Sequence, residues 1–154
     1  TCIEYGLPMI VANAWVGVDG PEKRLDGLWP WHRCALEGDG ALKYDNRDDA
    51  SRIVWAQSER EFYLRRLGLD FARYGWRDVY PSREPLAERC RLLLRDNPPR
   101  DEPVRWWKHV PGVGPVEPQP EDWPSPHPTA IVLPAGLDNL PPLPPAPPVT
   151  PAIP

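Results

Sequence analysis

The sequence predicts a mainly α fold with much irregular structure: a small two- to three-helix module flanked by an extended N-terminal segment and a proline-rich, polyproline II C-terminal tail. Three observations lead there. Two stretches between residues 46 and 97 repeat apolar side chains at helical spacing. The residues before them are closely punctuated by Gly and Pro. Nineteen of the 24 prolines lie at or after Pro98, where φ is fixed and the backbone donor is lost. The division that follows is 1–45, extended and loop-rich; 46–97, the helical module; and 98–154, the Trp- and Pro-rich extended tail.

In residues 1–45, Ile3, Tyr5 and Leu7 alternate, and Ile10-Val11 with Trp15-Val16-Gly17-Val18 suit one or two short strands. Gly6, Pro8, Gly17, Gly20 and Pro21 interrupt them, so a hairpin is the most regular structure expected. Glu37-Gly38-Asp39-Gly40 has the composition of a turn.

The first helix is expected over Ala50 to Leu67, capped by Asp48 or Asp49. Ile53, Ala56, Tyr63, Leu64 and Leu67 form its apolar stripe, which Arg60 shares, whereas Val54, Trp55 and Phe62 fall off it. A helix that is apolar on more than one side is usually covered by more than one neighbour. Gly68 is suited to end this helix, and Asp70-Phe71-Ala72-Arg73-Tyr74 reads as a further turn or short helix. The second helix starts at Ser82 as N-cap, with Glu84 and Pro85 in its first turn. Leu86, Cys90, Leu93 and Leu94 follow at i, i+4, i+7 and i+8, and Asn97-Pro98-Pro99 stops it. Beyond Pro99 no periodicity survives, and the composition favours polyproline II and isolated turns. Residues 46–97 alone offer few buried side chains, so marginal stability is expected of the isolated chain.

Charge and cysteine usage narrow the function. A formal net charge of −4 argues against a phosphate-tracking surface, so nucleic acid is not an expected partner. Three widely spaced cysteines do not form a secreted disulfide framework, which favours a reducing compartment. No apolar run approaches the length of a membrane span, although Arg105-Trp106-Trp107-Lys108 would suit contact with a membrane surface. The absence of an initiator Met at Thr1 fits removal of Met or a cleaved presequence, which places a mitochondrial location ahead of cytoplasm or virion.

Catalytic chemistry finds little support. Cys2, His32, Cys34 and Cys90 are weak candidates for a metal site, because structural zinc generally draws on two close ligand pairs and only His32/Cys34 is one. The same pair would need a third group to act as nucleophile and base. Phosphate-binding Gly loops, Gly-x-Ser-x-Gly and H-E-x-x-H are absent, so no catalytic residue and no cofactor are expected.

Partner binding is better supported. Trp29, Trp31, Trp106, Trp107 and Trp123 are candidate interface residues, since Trp and Arg dominate interface centres. The opposing reading folds these rings back onto the protein's own helices. Pro141-Pro142-Leu143-Pro144 resembles the PPLP ligands of one class of WW domain, and PxxP recurs to Pro154. The leading expectation is a non-catalytic accessory structural subunit. It would dock on and strap together neighbouring subunits of a large assembly, a membrane-associated respiratory or energy-converting complex ahead of a virus particle. The alternatives are an adaptor whose proline-rich tail is a ligand for WW-like domains, and a small Cys/His metalloprotein or enzyme.

Overall fold

Side-chain alternation along two short central strands sets the architecture. The computed structural model describes residues 1–39 and 47–128. Eight strands are present among them: β1 (Val11–Ala12), β2 (Trp15–Val16), β3 (Lys23–Arg24), β4 (Gly27–Trp29), β5 (Cys34–Gly38), β6 (Asp70–Tyr74), β7 (Lys108–Val110) and β8 (Gly114–Val116). Two α-helices, α1 (Arg47–Arg66) and α2 (Glu84–Asp96), and two short 3-10 turns complete the described residues.

The mainly α expectation is therefore overturned. A four-stranded sheet in the order β1-β4-β5-β6 forms the centre, with β2-β3 and β7-β8 as separate ribbons. β1, β4 and β5 pair antiparallel, whereas β6 lies parallel to β5, with Cys34 opposite Asp70 and Gly38 opposite Tyr74. Parallel neighbours need a long crossover, and the connection containing α1 provides it. Asp70–Tyr74, read from sequence as a turn or short helix, is the strand that completes this β-α-β unit. Its charges obscured it. Arg73 is held by Asp39 and by Glu61 of α1, each at 3.0 Å, so a charged residue sits within the strand without being left unpaired.

Successive residues of a strand point to opposite faces. Leu28 and Ala35 point to the α1 side, where they join Ala14, Val16, Leu25, Leu64, Leu69 and Trp106 in one buried cluster. Trp29 and Cys34 point to the other side and pack with Leu7 and with Leu86, Cys90, Leu93 and Leu94 of α2. The sheet is thus covered by α2 on one face and, on the other, by Trp106, Val16 of β2 and the C-terminal end of α1 around Leu64.

Both helices end as their local chemistry dictates. In α1, Gly68 takes φ +76°, its N–H bonds to the Arg65 carbonyl at 2.9 Å, and the Leu69 N–H reaches back to Leu64 at 3.1 Å. This is the Schellman arrangement, with its usual apolar contact between Leu64 and Leu69. For α2, Arg83 rather than the expected Ser82 is the N-cap and makes no side-chain cap hydrogen bond; the Ser82 hydroxyl lies one residue earlier and accepts the Glu84 N–H at 3.1 Å, and Pro85 occupies the first turn.

The C-terminal part departs from the expected polyproline rail over residues 98–128. Trp15 and Trp107 exchange two backbone hydrogen bonds of 2.9 Å, which ties this segment to β2. The β7-β8 hairpin follows, and Lys108 bridges to Asp122 at 2.6 Å. Residues 129–154 lie outside the described residues, and with them the expected partner-binding Pro141, Pro142, Leu143 and Pro144.

Candidate functional site

The cysteine and histidine candidates are divided between buried places. His32 is 4 % exposed, and burial first, then nearby His127, pushes its pKa below the ordinary 6.5. Cys34 is fully buried at the start of β5, and its thiol donates to the backbone carbonyl of His32 at 3.3 Å. Arg33 between them has φ +53°, so the chain turns rather than running extended through the pair. Desolvation, reinforced by Asp70, pushes the Cys34 thiol up to about 12. A thiol so poised carries almost no thiolate at neutral pH, and the thiolate is the nucleophile and ligand.

Cys90 sits on the buried stripe of α2 with its pKa pushed up to about 11, burial acting first and Cys2 second. Cys2 is half-buried, and its thiol is likewise raised by burial. These two line one apolar hollow of about 460 Å³ with Met9, Ile10, Leu36 and Tyr74. Among the described residues no group of three or more His, Cys, Asp or Glu side chains is placed to hold a metal ion.

The five candidate tryptophans are drawn inward to different degrees. Trp29 is 2 % exposed, and its indole N–H donates to the Pro8 carbonyl at 2.9 Å, pinning the N-terminal segment to the α2 face. Trp106 lies in the α1-side cluster, and its indole nitrogen has no hydrogen-bond partner among the described residues. Trp107 is buried, donates to Glu117 at 3.0 Å and carries the Arg105 guanidinium 4.6 Å above its ring. Half-buried Trp123 packs between Trp31 and Trp106, with ring centroids 5.6 and 5.5 Å away. Trp31, Trp106 and Trp123 are therefore brought together, while Trp29 lies across the sheet from them.

The exposed apolar surface lies elsewhere. Val54, Trp55 and Phe62 of α1 are 56 %, 68 % and 66 % exposed, while Leu64 of the same helix is buried. Trp55 and Phe62 are seven residues apart, which puts them on one side of the helix about 10.5 Å apart along its axis. Beside them runs an open groove of about 660 Å³, walled by Ile53, Phe62 and Tyr63 and rimmed by Lys23, Glu59, Arg60 and Arg66.

The β2-β3 ribbon forms the other bank of that groove. It is fastened to α1 by the Tyr63 hydroxyl, which donates to Glu22 and holds that carboxylate below its usual range. Arg60 bonds both oxygens of buried Glu37 at 3.0 and 3.2 Å. Burial nevertheless raises the Glu37 pKa, because desolvation outweighs the attraction of Arg60. Sequence reasoning assigned no site to Trp55 and Phe62, although their position off the inward stripe was the available signal.

No protein-family model, curated protein or solved structure matches the chain. Among the described residues no helix is long and apolar enough to cross a membrane.

Proposed function

We propose that the protein is a non-catalytic accessory subunit that docks on other chains of a multi-protein assembly, with α1 as its principal contact. The observation that carries this reading is the outward face of α1, where Val54, Trp55 and Phe62 remain largely exposed. A Phe-sized side chain gains roughly 1.5–3 kcal/mol when it is fully covered, and Trp is among the residues that dominate interface energetics. The open groove beside this face is edged by charged side chains of both signs, Lys23, Glu59, Arg60 and Arg66, the anatomy of an interface with an apolar centre and polar edge. The protonated, buried state of Cys34 and Cys90 supports a non-catalytic role.

The test is purification of the native protein from its source, with quantification of the subunits that accompany it. Stoichiometric partners are expected, and Trp55→Glu with Phe62→Glu should release them while leaving the circular dichroism of the free protein unchanged. Partners retained at full stoichiometry in the double variant, or no stoichiometric partner at all, would overturn the reading.

A further inference from the structure

We propose that the hollow on the α2 side of the sheet binds a small amphiphilic amine, its apolar body against Met9, Ile10, Leu36 and Leu86 and its ammonium at Asp26 and Tyr74. No residue of α1 lines this hollow, so the site stands or falls independently of the docking role proposed above.

Shape is the first argument. At about 460 Å³ the hollow falls within the ~300–1,000 Å³ of small-molecule sites, which are mostly apolar with a few polar groups that fix orientation. Its walls come from three parts of the chain: Ile3, Met9 and Ile10 from the N-terminal segment, Leu36 from the sheet, and Val79 and Leu86 from α2 and the turn before it. Leu86 and Cys90 belong to the buried α2-side cluster, so the hollow opens directly onto that core. Gly27 of β4 adds backbone without a side chain, and a Cβ there would collide with Ile10. The Cys2 and Cys90 thiols face the same space, and burial raises both of their pKa values, so they are neutral lining at physiological pH.

Charge is the second. Among the side chains that line the hollow, Asp26 alone is ionised, and it is exposed at the rim. Its Oδ2 accepts the Gly38 N–H at 2.7 Å, which fixes the carboxylate. A carbon at the missing Cβ position of Gly38 would lie 3.1 Å from the Tyr74 hydroxyl and 3.3 Å from Asp26 Oδ2, so both oxygens gather round the same stretch of backbone. Burial first, and the Asp26 charge second, raise the Tyr74 pKa, so the phenol is neutral. One end of the hollow therefore presents a carboxylate and a phenol. An ammonium donates to both, whereas a carboxylate head would meet Asp26 as a like charge. The amine of Thr1, which also lines the hollow and acts on Cys2 and Cys90, is the group that would favour an acid instead. The preferred sign of the head group is thus the quantity to measure.

The test is titration of the full chain, labelled with nitrogen-15, with n-hexylamine, n-hexanol and hexanoate at matched pH and ionic strength. n-Hexylamine is expected to shift the Gly27 and Gly38 amides, while Gly112 and Gly114 of the β7-β8 hairpin stay still. It should bind roughly tenfold more tightly than n-butylamine, from two further buried methylenes. Asp26→Asn keeps an oxygen for the Gly38 N–H and removes the charge. It should weaken n-hexylamine about two- to fivefold, the scale of an exposed ion pair, and leave n-hexanol unchanged. Hexanoate bound as tightly as n-hexylamine, an affinity indifferent to chain length, or an Asp26→Asn chain that keeps the full preference for amine over alcohol would each overturn the proposal. Shifts at Gly112 and Gly114 as large as those at Gly27 and Gly38 would do the same, since they would mean association spread over the surface.

Discussion

At the scale of single residues, His32 and Glu37 are buried titratable groups whose folded pKa values move in opposite directions, with opposite consequences for stability. The His32 value is lowered, by burial first and His127 second, so the folded chain binds fewer protons than the unfolded chain as acid is added. Its contribution is complete above the ordinary value of 6.5 and is lost as pH falls through the lower folded value. Glu37 has a raised value, so its contribution is present below the ordinary carboxylate range and is lost as pH rises through the folded value. The thermal midpoint is therefore expected to fall as pH is taken from about 7 to about 5.5, a range in which His is the side chain with a matching unperturbed pKa. Thermal melts of His32→Gln should be flatter over the same range. An equally steep fall in the variant would assign the effect to another group. Neither burial was visible in the sequence. Glu37 stands in a Glu-Gly-Asp-Gly stretch that resembles a turn, and its cation, Arg60, is 23 positions away.

At the scale of elements, α1 is a helix with one deeply anchored residue and a bare far side. Leu64 is 1 % exposed and contacts Leu69 within the helix-ending motif, whereas Val54 projects outward. Leu64→Ala is expected to cost about 2–5 kcal/mol, and Val54→Ala to stay within about 0.5 kcal/mol. Urea midpoints of the two variants check this, and comparable losses would mean that α1 is covered differently. How far such elements could be read from sequence depended on where their stabilising partners lie. The α2 helix carries its Pro and its Leu86-Cys90-Leu93-Leu94 stripe within its own 13 residues, so it was legible although its cap falls at Arg83 and not at Ser82. The central β-α-β unit was not, because β5 and β6 include Glu37, Asp70 and Arg73. Glu37 and Arg73 fit a sheet only once α1 and the loop at Asp39 supply their ion-pair partners, and Asp70 only once the Asn97 side chain donates to it at 2.9 Å. The candidate site was half legible: Val54, Trp55 and Phe62 stood off the helical stripe. Trp29, Trp106 and Trp107, in contrast, found cover through pairings such as Trp15 with Trp107, ninety-two positions apart.

At the scale of the whole molecule, the two buried clusters meet in the same strands, and that changes what unfolding should look like. β4 sends Leu28 to the α1 side and Trp29 to the α2 side, while β5 sends Ala35 and Cys34 to the same two sides. Neither cluster can lose its sheet wall without exposing the other. The N-terminal segment is bound in through Trp29 and Pro8, and the segment after Pro98 through the Trp15–Trp107 bridge and Trp106. Marginal stability was the expectation for a core confined to residues 46–97. A core that recruits Leu7 and Trp106 as well removes the ground for it. The isolated chain is expected to unfold in urea as a single cooperative transition, with far-ultraviolet circular dichroism and tryptophan fluorescence coincident, the standard test of two-state behaviour. The sharper check uses one cavity on each face. Leu64→Ala on the α1 side and Leu86→Ala on the α2 side should each shift both probes together to lower urea. A variant in which helix content is lost at a lower urea concentration than the tryptophan signal would show that the two faces melt separately and that the shared sheet does not couple them.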